Sequence, residues 1–191
     1  MTPPAIYPVI LPVPEAARTM PPAERARLLS RRAREALSLS AARLGAPLGP
    51  LAKDGRGAPR PAGGRFWSLT HKPLYVGAVL SPAAVGIDLE QIRPVRAALF
   101  AKAAGPAEWA LTDEDPERAF FRFWTAKEAV LKTRGEGLKD LGRCRIAAVP
   151  DAAHLEVEYA GEAWPVEHFF FAGHVAALAV KGLAARWILA A

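Results

Sequence analysis

Cysteine is almost missing from this chain: Cys144 stands alone among 191 residues. A single thiol excludes an internal disulfide and any cysteine-rich zinc cage. It fits a reducing compartment, and a cytoplasmic location is expected. Long apolar runs are missing too. No stretch approaches the roughly 18 apolar residues of a membrane-spanning helix, so no membrane segment is expected. The opening MTPPAIYPVILPVPEAA has no early positive charge and is broken by five prolines, which makes it a poor secretory leader. Core material is not lacking. Hydrophobic residues make up 51% of the chain, enough for one domain or for two small lobes around a shared core, and disorder throughout is excluded.

Acidic residues are scarce in the first third. Residues 1–65 hold 11 Lys and Arg against 4 Asp and Glu, whereas the other 126 hold 14 against 15. The whole basic excess lies in ERARLLSRRAREALS and KDGRGAPRPAGGR. Such a patch suits a phosphate-bearing or acidic partner, although a solvated helix face followed by a basic loop has the same composition.

No convincing internal repeat is visible. Pro22 to about Leu44 has helical composition, and residues 45–64 form a loop rich in Gly and Pro. RFWSLTH and LYVGAVL read as strands separated by KP, and SPA turns the chain into a third strand, AVGIDLE. A helical stretch is expected from about Val95 to Ala110. A second helix follows, with Asp115 as N-cap, Pro116 as its first residue and Gly135 closing it. LEVEYA and FFFAGHVAALAVKG look like antiparallel strands. The expected class is α+β.

Within the second helix, FFRFWTAKEAVLK (residues 120–132) carries a lysine where the apolar face should be. At 100° per residue from Phe120, Leu131 falls at about 20°, Trp124 at about 40° and Lys127 at about 340°. Lys127 is therefore inside the apolar arc, where its ammonium needs an anion or must snorkel to the surface. Glu128 and Lys132 lie on the border of that arc and can pair across one turn. VGIDLE raises a matching question. Val85, Ile87 and Leu89 share one face of the strand, and Asp88 and Glu90 the other. On a solvent face this is a polar edge. In a cleft, two like charges call for a divalent cation, and Mg²⁺ takes hard oxygens from one or two carboxylates together with a substrate phosphate. Adding Glu128 gives three carboxylates with lysines nearby, as metal-assisted attack on a phosphate requires.

VGIDLE, followed 34 residues after its glutamate by WTAKEAVLK and then by GEGL, resembles the 4′-phosphopantetheinyl transferase superfamily of the surfactin-synthetase-activating type. The likeness extends upstream to FWSLTH and covers about residues 25–180, loosely at its N-terminal end. It implies an α+β monomer of two similar lobes related by a pseudo-two-fold axis, delimited here as 1–83 on the coenzyme A nucleotide side and 84–191 with the metal and catalytic motifs. It also implies transfer of the phosphopantetheine arm of coenzyme A to a serine of an acyl or peptidyl carrier protein, releasing 3′,5′-adenosine diphosphate. Asp88, Glu90 and Glu128 match the family's magnesium carboxylates, with Mn²⁺ an alternative. Lys132 matches the lysine near the pyrophosphate, Lys127 the lysine preceding the acidic residue, and His71 a histidine contacting coenzyme A phosphate. Glu128, Lys132 and Asp88 are the expected catalytic set, with Glu128 taking the serine proton directly or through a metal-bound water. Trp124 is expected to pack the helix.

Some positions depart from the family pattern. Thr70-His71 replaces Ser-His, and Gly57-Ala58-Pro59 lacks the lysine of the family's Gly-Lys-Pro, a charge that Arg56 or Arg60 could supply. Arg27 and Arg31 both fit the first-helix arginine that reaches the 3′-phosphate. His154, His168 and His174 have no metal-ligand spacing and are expected to be structural. TDEDPE is accounted for by capping and the helix dipole, and Cys144 is expected to be inert. Two other classes explain less. A basic nucleic-acid-binding module gives no reason for three clustered carboxylates, so no nucleic acid is expected as partner. A silent binder of coenzyme A or carrier protein gives no reason for the intact Asp88, Glu128 and Lys132. A different Mg²⁺-dependent phosphotransferase or phosphodiesterase is the runner-up enzyme.

Overall fold

The computed structural model describes residues 2–190, the side chain of Leu138 apart; Met1 and Ala191, the outer ends of the two lobes delimited above, lie outside them. The proline-broken start forms two short strands, β1 (Ala5–Ile6) and β2 (Val9–Pro12). Helix α1 (Pro22–Leu44) begins at a proline, where a missing N–H has no partner to lose, and stops at Gly45. Its buried Ala33, Ala36, Leu37 and Ala41 pack on Val9, Leu11, Trp67, Val76 and Leu80. Strands β3 (Phe66–His71) and β4 (Tyr75–Ser81) form the expected hairpin, and β4 also pairs with β2.

Strand β5 (Val85–Gln91) leaves that sheet. The single helix expected over 95–110 is two, α2 (Ala97–Ala103) and α3 (Pro106–Trp109). Ala104 is extended, with φ −159° and ψ 158°. Pro106 excludes helical backbone at the residue before it and starts a new turn. Helix α4 (Pro116–Thr133) opens as expected, Asp115 accepting a hydrogen bond from Arg118 N at 3.0 Å.

The antiparallel strands β6 (Arg145–Ala148), β7 (His154–Tyr159), β8 (Glu162–Phe171) and β9 (His174–Val180) follow in a meander. Sheet order is β5-β9-β8-β7-β6, so β5 pairs with the last long strand and is left as an edge. The chain then returns to its start. β10 (Ala184–Ala185) runs parallel to β1, and β11 (Ile188–Leu189) parallel to β2, giving the order β11-β2-β4-β3 in the other sheet. The architecture is α+β, as the sequence predicts. Ile6 and Val79 meet Val85, Ile87, Leu178 and Val180 in a buried cluster that closes the seam between the sheets. Phe123, Ala126, Val130 and Leu131 of α4 fill the core over the five-stranded sheet with Ile146, Val157, Trp164 and Val166. Each such large side chain contributes about 1.5–3 kcal/mol through burial.

The helix sits unusually deep at one place. A Cβ added at Gly86 would lie 1.8 Å from Ala129 O and 3.1 Å from Lys132 Cβ. Only glycine lets the α4 backbone press onto β5 there, and that approach brings the side of α4 carrying Glu128 and Lys132 to the strand carrying Asp88. Gly86→Ala is expected to cost roughly 2–3 kcal/mol, in the range of overpacked cores, read as a lower urea midpoint. An unchanged midpoint would show that the helix can step back freely.

Candidate active site

Because β5 is an edge, Ile87 has no strand partner on one side, and side chains fill the gap. Ile87 N donates to Ser68 Oγ at 3.1 Å, and Ile87 O accepts from Lys132 Nζ at 2.9 Å. Asp88 is 1% exposed, although Glu90, the next residue on the same strand face, is open to a cleft. Its Oδ1 accepts from Thr70 Oγ1 at 2.9 Å and from Lys132 Nζ at 2.7 Å. Its Oδ2 is buried and accepts no hydrogen bond from the described residues. A buried carboxylate oxygen left bare is costly.

Glu90, two residues on, accepts from Lys72 Nζ at 2.6 Å. Burial alone would lower the Lys72 pKa, but the Asp88, Glu90 and Glu128 carboxylates outweigh it and raise that pKa. Glu128 is half-buried on α4, and among the described residues no ammonium is in contact with it. Burial and the Asp88 charge raise its pKa, offset in part by Lys132 and Lys72. The pair of Glu128 with Lys132 across one helical turn does not form; Lys132 turns to Asp88 instead, a nearly fully buried anion and the stronger attractor.

His71 ends β3 among cations. Loss of water around the ring, then Lys132, Lys72 and Lys53, lower its pKa, so the ring is neutral at pH 7 in a positive field. A cleft of about 430 Å³ opens against the Trp67–Leu69 part of β3, lined also by Lys53, Arg56, Lys132 and Lys139 with Glu136 as the acidic member. A second cleft, about 410 Å³, holds Arg60 and shares Lys132. Gly135 walls both. Its φ is +67°, and a Cβ on it would meet Ala58 Cβ at 2.7 Å, so glycine is needed for conformation and for space. A third cleft, of about 720 Å³, is lined by Lys72, Glu90, Glu128, Arg93, Arg96 and Trp124. One turn of α4 links them, with Lys132 on the first two and Glu128 on the third.

Of the residues singled out from the sequence, Asp88, Glu90, Glu128, Lys132, His71, Arg56 and Arg60 come to this region. Arg27 and Arg31 do not. Both are exposed on α1, Arg31 facing Glu35 at 4.0 Å, and neither lines these clefts. Lys127 is not brought to a phosphate site either. It is 2% exposed in the core, its Nζ 2.6 Å from Glu108 Oε1. Burial pushes Glu108 up, but hydrogen bonds from Gly105 N, Lys127 and Ile146 N prevail and leave its pKa lowered.

Among the described residues no three His, Cys, Asp or Glu side chains already form a metal-holding group. The donor set nevertheless suits a divalent cation. Asp88 Oδ2 is a hard oxygen without a partner among the described residues, and burial together with the Asp88 charge pushes Glu128 toward neutrality. Lysines at present meet the charge of Asp88 and Glu90.

The sequence model of the 4′-phosphopantetheinyl transferase superfamily matches residues 84–179, from the turn before β5 through α4 to β9. The chain belongs to that superfamily. 4′-Phosphopantetheinyl transferase HetI of Nostoc sp. is 37% identical over 94 residues, which are 46% of this chain and 40% of that protein. 4′-Phosphopantetheinyl transferase psf-1 of Bacillus pumilus is 33% identical over 76 residues, 38% of this chain and 33% of that protein. The chain therefore spans less than half the length of either relative in these matches.

For a phosphopantetheinyl transferase superfamily member, several site residues were not legible in the motifs. Lys72 was read only as part of a separator between strands. Its signal was strand alternation, since it continues the Ser68–Thr70 face that looks onto β5. Lys53 and Lys139 come from a loop and a short 3₁₀ turn, with no periodicity to betray them. The other ionisable groups are accounted for within the fold. His168 is fully buried, its Nε2–H donating to Arg122 O at 3.1 Å and its pKa lowered to about 3 by burial. His154 pairs with Asp151, and His174 Nδ1 with Ala172 O. Burial pushes the Cys144 thiol up to about 11, which leaves it inert. Trp124 stacks on Phe120 with ring centres 5.8 Å apart.

Proposed function

We propose that this protein transfers the 4′-phosphopantetheine arm of coenzyme A to a serine of an apo carrier protein, in a Mg²⁺-dependent reaction that releases 3′,5′-adenosine diphosphate. The observation that carries the reading is the gathering of Asp88, Glu90 and Glu128 with Lys72 and Lys132, from three separate elements, beside a cleft walled by cations. The basic cleft suits a diphosphate, with Lys53, Arg56, Lys132 and Lys139 as counter-charges and Arg60 in the adjoining hollow. His71, at the end of β3 within the field of Lys132, Lys72 and Lys53, is the family's phosphate-contacting histidine by resemblance. The Glu128 side suits the incoming serine.

In this reaction the serine Oγ bonds to the β-phosphorus, and the bond from that phosphorus to the oxygen of the adenosine diphosphate breaks. Glu128 accepts the serine proton. Glu128 lines the third cleft, where the hydroxyl of an entering serine comes within reach of its carboxylate. Lys132, held by Asp88 and Ile87 O, neutralises charge on the departing phosphate. Mg²⁺ or Mn²⁺, held by Asp88, Glu90 and Glu128, supplies further positive charge to the diphosphate when bound.

Intact-mass spectrometry tests this. An apo acyl carrier protein incubated with the protein, coenzyme A and Mg²⁺ is expected to gain one phosphopantetheine, and EDTA is expected to prevent the gain. No gain on several unrelated carriers, with coenzyme A bound, would identify a silent binder. Failure to bind coenzyme A as well would overturn the assignment.

A further inference from the structure

The two lysines of the carboxylate group are held differently. Lys132 Nζ makes two hydrogen bonds, to Asp88 Oδ1 at 2.7 Å and to Ile87 O at 2.9 Å, and so is tied to the β5 backbone. Lys72 Nζ has one, to Glu90 Oε1 at 2.6 Å, and it lines the large cleft beside Glu128. The pair is shielded, with side-chain exposures of 25% for Lys72 and 18% for Glu90. We propose that Lys72 is an internal counter-cation which occupies Glu90 and closes the metal site to a divalent ion that arrives without its diphosphate ligand. The inference rests on the metal site of the proposed function and concerns its order of filling.

Charge explains the order. Three carboxylates and two ammoniums, Asp88, Glu90, Glu128, Lys72 and Lys132, leave one net negative charge. A dication entering with Lys72 in place meets two ammoniums and only one carboxylate, Glu128, without a lysine contact. Displacing Lys72 by itself sends an ammonium into a cleft that already holds Arg93 and Arg96, where like charges oppose it. When a diphosphate comes with the ion from the adjoining basic cleft, the displaced ammonium turns toward its oxygens instead of into the Arg93 and Arg96 cleft, and Glu90 is released to the metal. Ion and coenzyme A therefore bind with positive coupling, and by linkage each tightens the other by the same factor.

The test is a Mn²⁺ titration followed by the electron paramagnetic resonance signal of the free ion, with and without coenzyme A, on wild type, Lys72→Met, Lys72→Gln and Lys72→Arg. Lys72→Met and Lys72→Gln are expected to bind Mn²⁺ at least tenfold tighter than wild type in the absence of coenzyme A, and to lose most of the coenzyme A-dependent gain. Lys72→Arg keeps the charge and is expected to follow wild type. Equal Mn²⁺ affinity in wild type and both neutral variants without coenzyme A, with the ligand-dependent gain intact, would overturn the proposal and leave the metal site standing. No Mn²⁺ bound by any form even with coenzyme A would overturn the metal site, and the proposal with it.

Discussion

Glu128→Gln is expected to lower phosphopantetheine transfer about a thousandfold, the loss typical of a missing general base, in a protein that is folded and somewhat more stable than wild type. The activity and stability effects have opposite signs for one physical reason. Burial and the Asp88 charge make the ionised form of Glu128 the one the fold resists. A neutral amide of the same shape removes that repulsion, and a gain of ~1 kcal/mol would raise Tm by about 3 °C in a chain of this size. The same amide cannot accept the serine proton. A catalytic residue that the fold holds at a cost is a common source of such opposed effects. The measurement is the initial rate of carrier modification by mass, beside a thermal melt. Normal turnover by the variant sinks the assignment of Glu128. A lowered Tm with lost activity would instead make the residue a structural one.

The elements whose neighbours are local in sequence were legible from it. Asp115 and Pro116 mark the start of α4, strand-forming runs bounded by the KP and SPA turns mark β3, β4 and β5, and the angular position of Lys127 marks it as buried. What the sequence did not reveal depends on partners far along the chain. Two-residue strands such as β10 and β11 have no period of their own and exist only because β1 and β2 lie beside them. The expected helix over 95–110 was read from composition, and the Gly105-Pro106 step overrode it. In the site, the motifs located Asp88, Glu90, Glu128 and Lys132, but not how they pair. A salt bridge across one helical turn is the local choice for Glu128 and Lys132, whereas the structure offers Lys132 an anion 44 positions away. The partner of Lys127 was hidden for the same reason, because Glu108 sits on a four-residue helix with no amphipathic signature.

That partner yields the second large effect. Lys127→Met is expected to cost about 4 kcal/mol of stability, the penalty for stripping one member from a buried ion pair. Coenzyme A affinity in the folded variant is expected to stay within twofold of wild type. Lys127 and Glu108 have side-chain exposures of only 3% and 14%, so solvent screens little of the loss. Glu108 also accepts from Gly105 N and Ile146 N at 2.8 Å each, and so pins the start of α3 and the edge strand β6 to α4. Removing the ammonium leaves a carboxylate in the core with two amide donors and no counter-charge. The pH dependence has a fixed sign. The folded pKa of Glu108 lies below its ordinary value of 4.5, so the stability it contributes is present above pH 4.5 and is lost as pH falls through the lowered value. Without Lys127 that lowering shrinks, and the gap between variant and wild type narrows as both are taken into acid. Urea unfolding at pH 7 and near pH 3, with coenzyme A binding by calorimetry, measures all of this. A variant of wild-type stability that binds coenzyme A tenfold more weakly would return Lys127 to the phosphates, and its contact with Glu108 would then be incidental.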